Sequence, residues 1–211
     1  MELIEFEPKE LLVSQAVVLQ DDAIHDTNAT TRNVNEVQDT SPDRFADKLK
    51  AVFQECLRVL KPDGLLVFTY HHSRDDGWQS LDRAIRESGF CVVNAHPVKA
   101  EMSVATPKNQ AKDPIQFDMI IVCRKADSVR LKSASPAHAV ERAIEKITRL
   151  EDNGFAMSRN DWKIVLFAQL LTTNGDAEFN SLADLVERTL AELLGRPKRR
   201  SQAKAQALLF E

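Results

Sequence analysis

The chain has 211 residues but only three cysteines, six glycines, two tryptophans and one tyrosine. Cys56, Cys91 and Cys123 stand far apart, with no Cys-x-x-Cys pair and no His or Cys at ligand spacing beside any of them. That pattern argues against a zinc site and for buried, reduced thiols, so no metal ligand set is expected. The glycines Gly64, Gly77, Gly89, Gly154, Gly175 and Gly195 include no two close enough for a Gly-x-Gly loop, and there is no Pro-Pro pair. No apolar run approaches the ~18 residues that cross a bilayer. The start, Met1-Glu2-Leu3-Ile4-Glu5-Phe6-Glu7, has no basic region leading into an apolar core. The expectation is a cytoplasmic chain with no signal peptide and no membrane partner. Positive charge is not in excess either: the formal net charge is −4, which gives no support to a long nucleic-acid footprint.

What is present suffices for a folded protein. The hydrophobic fraction of 43% supports a buried core, and the length fits one domain with a helical appendage, or two small domains. Residues 1–43 read as an irregular amino-terminal segment. It holds apolar patches at Leu11-Leu12-Val13 and Ala16-Val17-Val18-Leu19, then a long polar loop from Asp21 to Thr40 without periodicity. Ser41-Pro42-Asp43 is a strong helix start, and Phe45, Leu49, Val52, Phe53, Cys56, Leu57 and Leu60 form one apolar stripe. Lys61-Pro62-Asp63-Gly64 ends that helix; proline blocks its continuation and glycine permits a sharp turn. The run Leu65–Tyr70 suits a strand buried on both faces. His71 to Gly77 reads as a loop, and Trp78, Leu81, Ala84 and Ile85 mark a helix closed by Gly89. Strands follow at Phe90–Val98 and Ile115–Cys123, joined by the polar loop Met102–Asp113; with no helix between them they should pair antiparallel.

From Ser133 the pattern turns helical after a linker at Lys125–Ser135. Ser135-Pro136 opens one helix, Ser158-Arg159-Asn160-Asp161 a second, and Leu182, Leu185, Val186, Leu190 and Leu193 mark a third. Arg196, Lys198, Arg199, Arg200 and Lys204 form a basic tail over 196–211, able to touch phosphates or simply to stay solvated.

Within residues 44–126 the segment Glu55-Cys-Leu-Arg-Val-Leu-Lys-Pro-Asp-Gly-Leu-Leu-Val-Phe68 resembles the stretch leading into the fifth strand of Rossmann-like, S-adenosylmethionine-dependent methyltransferases. Together with Tyr70-His71-His72-Ser73, Trp78, Gly89-Phe90, Pro97-Val98-Lys99-Ala100-Glu101 and Ile121–Lys125, it is similar to the carboxyl-terminal half of adenine-specific DNA methylases. These are the methylases that carry a domain of unknown function at their amino end. The resemblance implies an α/β fold: the last three strands of a Rossmann-like sheet with flanking helices, followed by the helical appendage at 134–195. It also implies a strand order in which the seventh strand lies antiparallel between the fifth and the sixth, leaving the edge Leu65–Tyr70 without a neighbour. The family's glycine-rich cofactor loop and its Asp/Asn-Pro-Pro-Tyr motif are both missing from this sequence, so no catalytic residue carries over.

The resemblance therefore implies a partial DNA adenine methyltransferase. S-adenosylmethionine would belong to the complete enzyme, with none expected on this chain alone. DNA would be the substrate, and the partner a complementing polypeptide carrying the amino-terminal half, or a second copy through the Leu65–Tyr70 edge. A non-enzymatic regulatory or structural subunit derived from a methyltransferase half-domain is the alternative. The candidate substrate-binding residues are His71, His72 and Ser73, at the carboxyl end of the expected β-strand, where open α/β sheets place ligands, and Glu101 after the next strand. Lys108, Asn109 and Lys112 of the following loop could reach phosphates or base edges. No nucleophile, base and orienting acid can be assembled from the motifs present.

Overall fold

A computed structural model describes residue 37 and residues 39–100, 114–128, 134–175 and 177–195. Along these residues the order is α1 (Pro42–Val59), β1 (Leu66–Tyr70), α2 (Asp75–Glu87), β2 (Phe90–Lys99), β3 (Phe117–Lys125), α3 (Pro136–Asp152), α4 (Arg159–Leu170) and α5 (Phe179–Leu194). Short 3-10 turns follow β3 and α4. The fold is mixed α/β: a three-stranded antiparallel sheet with five helices among the described residues.

Helix starts follow the sequence. The Ser41 hydroxyl accepts from the Arg44 amide, and the Ser135 hydroxyl from the His138 amide. Ser158 and Asp161 form a reciprocal capping box, with the Asp161 amide 3.0 Å from Ser158 Oγ and the Ser158 amide 2.8 Å from Asp161 Oδ2. Two elements depart from expectation. α2 begins at Asp75, so Gly77 lies inside the helix and the loop shortens to His71–Arg74. Gly64 does not use a left-handed backbone; a Cβ there would come within 2.7 Å of the Leu60 side chain, so the turn needs the missing atom rather than an unusual φ.

The sheet order is β1-β3-β2, with β3 antiparallel to both neighbours, so β1 and β2 run parallel to each other. This is the order and the antiparallel pairing expected of the three strands. In register, Phe68 faces Ile121 and Ile121 faces Ala95; Leu66 faces Cys123 and Cys123 faces Val92. These residues line one buried face, against which α1, α2 and α4 pack. The other face carries Val67, Thr69, Ile120 and Val122, and there Val67 is 52% exposed. β1 is therefore covered on one face only, not on both: its side chains alternate between half-buried and exposed.

The terminal helices share the core of the sheet. Trp78 of α2, Phe167 of α4 and Phe179 of α5 stack in a column, with ring centroids 5.8 and 5.7 Å apart and interplanar angles of 11° and 3°. Lys163 of α4 pairs with Asp75 of α2 at 2.6 Å. Asp161, fully buried, spends its second oxygen on the amides of Gln116 (2.7 Å) and Phe117 (3.3 Å), which pins the start of β3 to the first turn of α4. No helix among the described residues is long and apolar enough to cross a membrane.

Candidate functional site

At the carboxyl end of β1 the chain leaves the sheet through His71 and His72 and enters α2. The two histidines diverge there. His71 continues the strand's alternation and points to the less covered face, where its Nδ1 contacts the carboxylate of Asp118 on β3. His72 turns the other way: its ring stacks on Tyr70 at 6.5 Å, and its Nδ1 lies 3.1 Å from the amide and 2.9 Å from the carbonyl of Arg74. One tautomer accepts from that amide and the other donates to that carbonyl. The ring lies so close to α2 that a Cβ on Gly77 would fall 2.3 Å from it. Glycine inside the helix, at a cost of ~1 kcal/mol relative to alanine, is what lets the imidazole occupy this place.

A cavity of about 260 Å³ opens beside it. Its walls include Val37, Asp39 and Thr40 from the end of the polar loop, Phe45 of α1, Tyr70, His72, and Arg74, Asp76 and Ser80 around the start of α2. The Tyr70 hydroxyl donates to the Gly77 carbonyl at 2.9 Å. Burial, and then the nearby Asp76 carboxylate, pushes its pKa well above the usual phenol value, so it remains a neutral donor. Asp39 is the opposite case. Its hydrogen bonds from the Arg44 guanidinium and the Ser41 amide hold it far below the usual carboxylate range. Ser80 Oγ lies 2.8 Å from the Asp76 carbonyl and 3.0 Å from the Pro42 carbonyl, tying α1 to α2.

One group in the wall is unsatisfied. Asp76 Oδ1 is buried without a hydrogen-bond partner; the Arg74 guanidinium Nε stands 3.5 Å away and the His72 ring Nδ1 4.0 Å away. A buried carboxylate oxygen in that condition is a standing acceptor. With the rings of Phe45, Tyr70 and His72 beside it, the cavity suits a small planar group bearing an N–H donor. The volume is below the ~300–1,000 Å³ of pockets that enclose drug-sized ligands. Among the described residues no group of three His, Cys, Asp or Glu side chains is placed to hold a metal ion.

Comparison with known proteins gives no match. No family model, no curated protein and no solved structure matches the chain.

Of the described residues expected from sequence, only His72 lines the cavity. His71 is exposed and engaged with Asp118, and Ser73 is exposed and not part of the wall. Glu101, Lys108, Asn109 and Lys112 lie outside the described residues, as do the basic tail and most of the Asp21–Thr40 loop. Sequence reasoning missed Tyr70, taken as strand, and Asp76, taken as loop. The signal for Asp76 was available: adjacent Asp75 and Asp76 are favoured in the first turn of a helix.

Proposed function

We propose that this chain supplies the carboxyl-terminal part of a Rossmann-like, S-adenosylmethionine-dependent DNA adenine methyltransferase and is inactive until an amino-terminal half joins it along β1. The observation that carries the reading is the sheet itself. β3 lies antiparallel between β1 and β2, and among the described residues β1 forms an edge whose flanking side chains Leu65 and Val67 are 46% and 52% exposed. A bare apolar edge of this kind favours pairing with another strand. The cavity supports the same reading, since the Asp76 oxygen, which lacks a hydrogen-bond partner, could accept from the exocyclic amine of a flipped adenine held among Tyr70, His72 and Phe45.

The test is co-expression with a chain that carries a glycine-rich loop and an Asp-Pro-Pro-Tyr motif. Co-purification, and transfer of labelled methyl groups to DNA adenine only by the complex, is the expected result. Saturable thermal stabilisation of the isolated 211-residue chain by S-adenosylmethionine would overturn it.

A further inference from the structure

The surface of α3 differs from those of α1 and α2. On α1 and α2 the arginines Arg44, Arg58, Arg83 and Arg86 each sit against a carboxylate at 3.0 Å or less. On α3, Arg142, Lys146 and Arg149 form no ion pair with any described residue, although all three fall on one stripe of the helix. At 1.5 Å rise per residue they are spaced over roughly 10 Å of helix axis. Glu145 lies among them and leaves the group positive.

Beside this stripe is a cavity of about 400 Å³, walled by His96 and Pro97 of β2, Lys146, Arg149 and Leu150 of α3, and Phe155. Lys146 is half-buried, and its pKa is lowered by burial and then by the neighbouring Arg142 and Arg149. His96 is lowered likewise, by burial and by Lys146 and Arg142. These cations are thus held together at mutual cost, with Arg142 fixed by a hydrogen bond to Asn94 Oδ1 at 2.7 Å. Phe155 is 39% exposed, yet its ring is braced edge-to-face on Phe117 at 5.9 Å.

We propose that this face binds single-stranded nucleic acid, with Arg142, Lys146 and Arg149 on the phosphates and Phe155 stacking against an unpaired base. Anions relieve the repulsion among the three cations, and each phosphate contact releases counterions. A rigid exposed ring at the wall of a concave cavity takes a splayed base, which a duplex does not offer; a flat lipid surface cannot reach into it. The assignment stands on this cluster and not on the methyl-transfer reading, so binding without methylation, or methylation without this binding, separates the two.

The experiment is fluorescence anisotropy of the full chain with a labelled, mixed-sequence DNA strand of about twelve nucleotides, within the usual site sizes. Between about 50 and 200 mM salt the wild-type affinity should fall roughly 20-fold, as three phosphate contacts require. R142Q/K146Q/R149Q should weaken binding about tenfold or more at the lower salt and flatten the salt slope. F155A should weaken it roughly fivefold with the slope retained. Circular dichroism of both variants confirms that the fold is intact. K198Q/R199Q/R200Q, in the basic tail, should bind as wild type. A loss confined to that tail variant, no binding at about 50 mM salt, or stronger capture by anionic phospholipid vesicles than by the DNA strand would each overturn the assignment.

Discussion

The two edges of the sheet are treated in opposite ways. Along β2 the outward backbone is occupied by side chains from the helical half. The Asn174 carboxamide accepts from the Val92 amide at 2.7 Å and donates to the Val92 carbonyl at 3.1 Å, as a neighbouring strand would. Gln169 Nε2 donates to the Ala95 carbonyl at 2.7 Å. A bulge at Val93, between Val92 and Asn94, interrupts the ladder as well. Along β1 the backbone pairs with β3 on one side, and no charged residue, proline or bulge interrupts Leu66–Tyr70. Among the described residues one edge is closed against strand addition and the other is not.

The strongest way to break that comparison is at the closed edge. Asn174→Ala removes both bonds to Val92 and leaves an alanine at φ 51°, so urea denaturation should show a loss of about 3 kcal/mol. Gln169→Leu should cost less, about 1 kcal/mol, because it also removes Gln169 Oε1, a buried oxygen without a partner. Val67→Lys, at the open edge, should change monomer stability by no more than about 0.5 kcal/mol. It should nonetheless abolish the concentration-dependent self-association that an open β1 edge is expected to give the wild-type chain, as read by sedimentation velocity. If the association persists, or if Asn174→Ala is neutral, the two edges are not different in kind. Native-state hydrogen exchange sharpens the same point: the Val92 amide should exchange more slowly than the outward amides of Leu66–Tyr70. The smallest effect at neutral pH concerns Cys123, in the central strand between the edges. Burial, and then Cys91, pushes its thiol from the ordinary 9.0 up to about 12. The unfolded chain thus loses its proton first, and stability should fall as pH rises from about 9 to about 12 while staying level below that window.

Legibility in the sequence followed the range of the contacts. The start of α1 at Ser41-Pro42 and of α3 at Ser135-Pro136 was written in local capping chemistry, and all three cysteines are free, with Cys91 and Cys123 buried as their apolar neighbours suggested but Cys56 only half-buried. The apolar run of β1 misled, because a strand that is covered on one face here still carries apolar residues on the other. Gly77 misled as well. It reads as a helix breaker, yet it sits inside α2 because the ring that needs its space belongs to a different residue, His72. Asp161 and Asn174 were invisible for a plainer reason: their partners Gln116 and Val92 are 45 and 82 residues away, and no spacing rule spans that distance. The adjacent His71 and His72 were read as a pair, but strand alternation alone sends neighbours to opposite faces.

The stacked column of Trp78, Phe167 and Phe179 also gives the molecule a built-in optical probe. Trp78 is fully buried between Phe167 of α4 and Tyr70 of β1, with Phe179 of α5 next in the column, whereas Trp162 is partly exposed and donates to Glu151 at 3.0 Å. With Trp162 replaced by phenylalanine, the emission of the remaining indole would report whether α4 and α5 stay seated on α2. Docking of a partner at β1, whose Tyr70 ring meets Trp78 edge-on at 5.1 Å, could then be followed through a colour change rather than through activity.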